Sequence, residues 1–274
     1  MDNIDLIINC LINNKPIIFL KYGDGEYICA SRDFNFLGFE INKNCDQDNF
    51  TEKLGIRLVD SFKYIIYQNN VIIAKTLMEK IDNYFLNLSI NKIDINYSFY
   101  KQFLICNEYK KNIEIYKAIR NSKLKKIYVC NELLIKSKIL LNIDHIVTIP
   151  INNWFDDSYD EIFNKVKEII GENDNNHILM TSCGMSAKVL IPEIHKLYPN
   201  GIYLDIGSYL DLICTKRDSR GIWDSSGNQV KYQEVYNIFK NENLIPDEWD
   251  DPKYNYIYEE ARNKLGVHVG KIEE

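Results

Sequence analysis

Two carboxylates separated by one glycine, Asp24 and Glu26, lie in the segment Lys21-Tyr22-Gly23-Asp24-Gly25-Glu26 near the N-terminus. On extended backbone, side chains two residues apart point the same way, whereas on a helix they diverge by about 200°. Two convergent carboxylates suit a hard divalent cation, and flanking glycines allow a ligand to approach the backbone closely. The spacing therefore predicts a metal site at Asp24 and Glu26, although a solvated acidic turn has the same composition.

A second segment, residues 177–188, reads as a strand that passes through small residues into a helix. Free N–H groups at the helix start, the hydroxyls of Ser182 and Ser186 and the amine of Lys188 would together hold an anionic phosphate, with Gly184 allowing a tight turn. An ordinary helix cap at Ser182 is the alternative. Neither G-x-G-x-x-G nor a Walker A loop is present.

A third group of polar residues follows the next predicted strand. Asp205 ends that strand and Asp211 lies about one turn into the following helix, so either could act as a general base or bind a sugar hydroxyl. Ser208 between them could cap the helix or contact a ligand. Arg217 and Arg220 could pair with phosphate, although basic loop residues are often simply solvated.

Short apolar runs alternate with stretches of helical period, which predicts an α/β fold with a mostly parallel sheet. The predicted strands are 16–20, 71–74, 127–130, 145–149, 177–182 and 202–205, and the predicted helices are 112–121, 132–141 and 158–170. The polar, aromatic tail predicts helices around 232–241 and 254–265. We expect one Rossmann-like domain over residues 1–221, with residues 222–274 as its C-terminal helical appendage.

Composition restricts the classes of partner. A net charge of −6 is opposite to the basic footprint of a nucleic-acid binder, so no nucleic-acid partner is expected. The seven cysteines are scattered, without a C-x-x-C pair, which fits a reducing, cytoplasmic location. We expect no membrane span, because no segment approaches about 18 uninterrupted apolar residues.

Taken together, these segments resemble the GT-D class of glycosyltransferases, whose members carry a basic residue, an aromatic or small residue and then G-D-G-E near the N-terminus. Residues 21–26 match that signature, including its D-x-E element, with Lys21 in place of the commoner arginine. Four further segments resemble the class motifs in the same order along the chain; they are 44–50, with Gln47 and Asp48 in place of the usual Gly and His, 149–160, 182–190 and 205–211.

The resemblance implies a hexosyltransferase-like enzyme that uses a nucleotide-sugar donor, with UDP-sugar and Mn²⁺ or Mg²⁺ expected. It assigns the donor site to Lys21, Tyr22, Gly23, Gly25 and Asp46. The acceptor is expected to be a glycan, glycoprotein or glycolipid.

The catalytic base stays open between Asp205 and Asp211, with Glu26 as a competitor if it does not ligate the metal. The aromatic tail is expected to serve acceptor binding or homodimer formation, or simply to pack onto the domain. Two other functions remain: a metal-dependent nucleotide or sugar-phosphate hydrolase, and a non-catalytic protein that binds sugar nucleotides.

Overall fold

A parallel sheet organises the part of the chain that the structure, a computed structural model, describes: residues 3–36, 49–76, 78–89, 96–99, 105–150, 153–171, 176–215, 228–250 and 252. Its seven strands lie in the order β3-β2-β1-β7-β6-β4-β5, and each neighbouring pair is parallel. The strands are β1 (Ile17–Lys21), β2 (Val71–Lys75), β3 (Asn96–Phe99), β4 (Lys125–Cys130), β5 (His145–Thr148), β6 (His177–Ser182) and β7 (Ile202–Asp205).

Helices cover both faces of this sheet. They are α1 (Asn3–Ile12), α2 (Asp24–Ser31), α3 (Glu52–Ile65), α4 (Glu79–Asn87), α5 (Ile105–Asn121), α6 (Ser137–Leu141), α7 (Trp154–Ile170), α8 (Ala187–Leu197), α9 (Asp211–Thr215) and α10 (Asn228–Asn241). None of the helices in this part of the chain combines the length and the hydropathy that crossing a membrane requires.

The alternation of side chains along each strand produces two hydrophobic cores. In β1, Ile18 and Leu20 join the core formed with α2, α3, α4, α7 and α8. Ile17 and Phe19 join the core on the other face, with α1, α5, α6, α9 and α10. Strands buried on both faces are expected to be continuous apolar runs, and this explains why β1 reads Ile-Ile-Phe-Leu.

The predicted α/β fold with a parallel sheet is confirmed, and all six predicted strands are present within a residue or two of their expected ends. The predicted helix over 132–141 is instead a 3₁₀ turn (Glu132–Leu134) followed by the short α6. The predicted helix at 232–241 is present as α10, whereas 254–265 lies outside the described residues. Phe239 of α10 is fully buried in the second core, so this part of the tail packs onto the sheet layer. The predicted division at residue 221 stays a prediction.

Helices α2 and α3 approach so closely that only glycine fits between them. A Cβ atom added to Gly55 of α3 would lie 2.4 Å from the carbonyl oxygen of Cys29 in α2. Because a backbone oxygen cannot move alone, Gly55→Ala should push the two helices apart and lower the free energy of unfolding by about 1–3 kcal/mol. Urea denaturation measures this change. Asp60→Ala, at an exposed site of α3, is the control and should change stability by less than about 0.5 kcal/mol; equal effects would contradict the close contact.

Candidate active site

The carboxyl ends of three adjacent strands bring most of the described candidate residues together. β1 ends at Lys21, β7 ends at Asp205 and β6 ends at Ser182, and the three strands are neighbours in the sheet. From β1 the chain continues to β2 and β3 towards one edge of the sheet, whereas from β4 it continues to β5 at the opposite edge. β7 and β6 lie between β1 and β4, where the direction of strand addition reverses. Ligands of open parallel sheets bind at such a reversal, outside the carboxyl ends of the strands.

Lys188 of α8 joins two carboxylates from different parts of the chain. Its Nζ lies 2.8 Å from Glu26 Oε1 and 2.9 Å from Asp205 Oδ2. It also donates to the carbonyl oxygen of Gly184 at 3.1 Å. All three residues of this Glu26–Lys188–Asp205 triad are buried, at 5%, 4% and 1% exposure. The sequence identified each residue as a candidate but did not predict that they bind one another.

Glu26 lies on a helix, which corrects the extended backbone assumed for Asp24 and Glu26. Helix α2 begins at Asp24, and Glu26 reaches back so that its Oε2 accepts the N–H of Gly23 at 2.8 Å. This interaction is the glutamate half of a capping box, in which the third residue of a helix satisfies the N–H of the capping residue. The side chains of Asp24 and Glu26 therefore diverge by about 200°.

Lys21 supplies a second buried ammonium at the end of β1. Its side chain is only 3% exposed, and Nζ lies 4.0 Å from the centre of the Tyr209 ring, a cation–π contact. Gly207 makes room for it: a Cβ added there would lie 2.2 Å from Lys21 Nζ, and the φ of Gly207 is +54°, which other residues rarely adopt. The backbone N–H of Lys21 also lies 3.4 Å from Asp205 Oδ2.

Several buried polar atoms around the triad have no hydrogen-bond partner among the described residues. They are Tyr22 Oη, Thr181 Oγ1, Ser186 Oγ and Asp205 Oδ1. Burial raises the pKa of the Tyr22 phenol well above its ordinary value; the Lys188 ammonium opposes this and the Glu26 and Asp205 carboxylates reinforce it. Tyr22 therefore stays protonated and can donate a hydrogen bond. Unsatisfied buried polar atoms are uncommon in folded proteins and indicate a place for a polar ligand or water.

Ser182 was predicted either to cap the helix or to bind phosphate, and the phosphate role stays a prediction. Its hydroxyl donates to the carbonyl oxygen of Gly207 and lies 2.5 Å from the Tyr128 hydroxyl. It therefore ties the end of β6 to the turn after β7. The capping prediction is wrong, because α8 has no side-chain cap: a 3₁₀ turn, Gly184–Ser186, precedes it.

Asp211 and Ser208 follow β7 and are half-buried, unlike the triad. The pKa of the Cys214 thiol is raised above its ordinary range by burial and, to a smaller extent, by the charge of the Asp211 carboxylate. Asp24, Gly25 and Gly184 are half-buried as well. The described part of the site thus has a buried, charged floor and a more accessible polar rim.

Trp154 is hydrogen-bonded to the residue just before the 3₁₀ turn that leads into α8. The sequence placed it in a segment that resembles a class motif but gave it no role. Its indole N–H donates to the carbonyl oxygen of Cys183 at 3.1 Å, and its side chain is 1% exposed. The ring is stacked against Tyr159, with centroids 5.8 Å apart. Just before it, Asn153 accepts the N–H of Asn49 at 2.9 Å, which joins the chain preceding α3 to the start of α7.

The described residues do not offer a ready site for a divalent cation. Both oxygens of Glu26 are already hydrogen-bonded, one to Gly23 and one to Lys188. Asp24 diverges from Glu26 on the helix, and no three His, Cys, Asp or Glu side chains in this part of the chain form a metal-binding group. The cation at Asp24 and Glu26 therefore requires a rearrangement and stays a prediction. The candidates Asp46, Arg217 and Arg220 lie outside the described residues.

Comparisons with known proteins give a fold but no family. No protein-family model matches the chain, and no curated protein is significantly similar to it. The chain is similar to a structure described as a new glycosyltransferase (DUF1792) from Streptococcus sanguinis, with 15% identity over 76% of this chain and 82% of that chain and a TM-score of 0.50. It also matches a structure of the highly conserved domain of unknown function 1792, described as having a distinct glycosyltransferase fold, with 14% identity over 76% of this chain and 79% of that chain and a TM-score of 0.49. The Streptococcus sanguinis likeness shows a shared fold.

Proposed function

We propose that this chain is a glycosyltransferase that transfers a sugar from a nucleotide-sugar donor to an acceptor. The observation that supports the proposal is the cluster of Lys21, Glu26, Lys188 and Asp205 at the carboxyl edge of the sheet. A parallel sheet binds ligands at that edge, and the fold is shared with a protein described as a glycosyltransferase. Buried ammonium groups suit the diphosphate of such a donor, because they stabilise the negative charge that develops on the departing diphosphate as its bond to the sugar breaks.

The buried residues of the site suit the nucleotide-sugar donor, whereas the half-buried ones suit the acceptor. Lys21 lies on the buried floor and is proposed to face the donor's phosphates, with the protonated Tyr22 phenol as a further donor of a hydrogen bond. Of the three candidate bases, Asp205 and Glu26 are buried and bound to Lys188, whereas Asp211 is half-buried. An acceptor hydroxyl reaches a half-buried carboxylate more easily, and this favours Asp211 as the base.

The finer parts of the proposal come from the resemblance to the GT-D class. They are UDP-sugar as the donor, Mn²⁺ or Mg²⁺ as the cofactor and a glycan, glycoprotein or glycolipid as the acceptor. A homodimer is proposed from the aromatic tail, and a cytoplasmic location from the scattered cysteines. A divalent ion bound with the donor would neutralise its diphosphate.

A panel of nucleotide sugars tests the proposal directly. We expect at least one UDP-sugar to raise the melting temperature, since a ligand that binds only the native state stabilises it, and to be consumed faster when an acceptor is present. Parallel samples with Mn²⁺ and with EDTA test the metal. Sugar or phosphate release that no acceptor accelerates would instead indicate a hydrolase, binding without turnover would indicate a binding protein, and no binding at all would contradict the proposal.

Lys21→Met tests the role of the floor in holding the diphosphate. A hydrogen bond to a charged group is worth about 1.5–3 kcal/mol, so the variant should bind UDP about tenfold or more weakly. Uridine affinity should change little, because uridine lacks the diphosphate. Calorimetric titration measures both affinities. Lys80→Met, which removes an exposed lysine paired with Asp33, is the charge-matched control. Equal losses for UDP and uridine would show that Lys21 has only a structural role.

A further inference from the structure

The triad contains two carboxylates, as a metal-ion site would, but the cation between them is the ammonium of Lys188. A lysine ammonium carries three N–H donors. Acceptors of Lys188 Nζ among the described residues include Glu26 Oε1 at 2.8 Å, Asp205 Oδ2 at 2.9 Å and the carbonyl oxygen of Gly184 at 3.1 Å. These acceptors come from α2, from the end of β7 and from the turn before α8. The ammonium is thus held from three directions by oxygen atoms, which are the ligands that hard cations prefer.

Charge explains why the site needs a cation. Two carboxylates buried close together repel each other strongly where water does not screen them, and a shared positive charge removes that repulsion. With Lys188 in place, the triad carries one positive and two negative charges, and a net negative charge remains. Asp205 Oδ1, buried and without a hydrogen-bond partner among the described residues, is an acceptor that the ammonium leaves unused.

We propose that the ammonium of Lys188 is the resident cation of this site, which holds Glu26 and Asp205 together and which a divalent cation must displace before it can bind both carboxylates at once. The inference deepens the proposed function, on which its relevance to donor binding rests. Displacement would free the N–H groups of Lys188, and these would then be available to a phosphate, as the sequence predicted for this residue.

The carboxylate oxygens of Glu26 and Asp205 that already have partners indicate that a divalent ion competes with the Lys188 ammonium and does not bind beside it. Glu26 Oε1 is bonded to Lys188 and Glu26 Oε2 to the N–H of Gly23. Asp205 Oδ2 is bonded to Lys188 and lies near the N–H of Lys21. A divalent ion that took either contacted oxygen would lie within a few ångströms of the ammonium, where like charges repel. Removing the ammonium without changing the carboxylates should therefore convert the triad into a site for added metal.

Mn²⁺ titration in nucleotide-free buffer, followed by calorimetry, tests the competition without using activity. Lys188→Met removes the charge and keeps a long side chain, and it should bind Mn²⁺ about tenfold or more tightly than the natural chain, because the ion then meets two uncompensated carboxylates. Adding Glu26→Gln to Lys188→Met should abolish that gain. Lys80→Met changes the net charge equally at an exposed pair and should behave as the natural chain does.

No gain in Lys188→Met, or an equal gain in Lys80→Met, would overturn the proposal. If Lys188→Met does not fold in buffer, refolding with Mn²⁺ but not with NaCl of equal ionic strength is the expected result, and failure in both would overturn it. The natural chain gives a further check: micromolar Mn²⁺ binding that Glu26→Gln abolishes would show that the ammonium does not exclude the ion. None of these results depends on nucleotide-sugar turnover, so failure here is distinguishable from failure of the proposed function.

Discussion

Lys188→Met is expected to lower the free energy of unfolding by about 3–5 kcal/mol, because it leaves the buried carboxylates of Glu26 and Asp205 without their shared counter-charge. Removing one partner of a buried ion pair is costly, since the remaining charge keeps its desolvation penalty and loses its attraction. Folded domains are stable by about 5–15 kcal/mol, so the variant should lose a large share of its stability. Urea denaturation at neutral pH measures the change.

A double-mutant cycle with Glu26→Gln separates the ion pair from general damage to the fold. Because the two side chains are in contact, the double variant should be less destabilised than the sum of the single variants, by about 0.5–3 kcal/mol. The exposed pair of Lys80 and Asp33 provides the scale for comparison, since Lys80→Met should cost no more than about 1 kcal/mol. A Lys188→Met variant as stable as Lys80→Met would show that the triad is not an energetically coupled unit.

Trp154→Ala should destabilise the fold by a similar amount, about 3–5 kcal/mol, because it empties the space of a large, fully buried side chain. The substitution also removes the hydrogen bond to the Cys183 carbonyl oxygen, just before the turn that leads to Lys188. Thermal and urea unfolding report the loss of stability. UDP affinity should fall as well, since the Trp154 indole helps to fix that turn.

Trp154→Phe divides this effect into packing and hydrogen bonding. Phenylalanine keeps most of the apolar volume but cannot donate, so we expect a loss of about 1 kcal/mol from the hydrogen bond together with a smaller packing cost. Tyr67→Ala, at a side chain that is 56% exposed, should change stability by less than about 0.5 kcal/mol. If Trp154→Ala were no more harmful than Tyr67→Ala, the proposed support of the turn would be wrong.

The strands of the central sheet were predictable because they are buried on both faces. Runs such as Val71-Ile72-Ile73-Ala74 are apolar at every position and stand out from their polar surroundings. β3 was missed because its sequence, Asn96-Tyr-Ser-Phe99, contains two polar residues and it lies at the edge of the sheet. An edge strand pairs on one side only, so less of its sequence is selected for burial.

The beginning of α2 was misread although its signal was present. Gly23 followed three residues later by Glu26, and then by Tyr27 and Ile28, is the pattern of a capping residue and a capping glutamate before an apolar run. The same two carboxylates also fit a metal pair on extended backbone, and that backbone prediction is wrong because α2 begins at Asp24.

The triad could be predicted only as separate candidates. Asp205 ends β7, Glu26 and Lys188 lie in the helices that follow β1 and β6, and the carboxyl ends of parallel strands share one edge. Their proximity, however, depends on the order β1-β7-β6 in the sheet, which periodicity and motifs do not encode. Pairing of strands far apart in the chain is a property of the whole fold, and it decides which charges meet.

The same strand order leaves part of the sheet unpaired while the chain is being synthesised. β1 pairs with β2 on one side and with β7 on the other, and β7 is about 180 residues further along the chain. Because synthesis runs from the N-terminus, one edge of the apolar strand β1 stays unpaired until residues 202–205 have left the ribosome. An unpaired apolar edge recruits other strands and promotes aggregation. Nascent or C-terminally truncated chains should therefore depend on chaperones for much longer than the early position of β1 suggests.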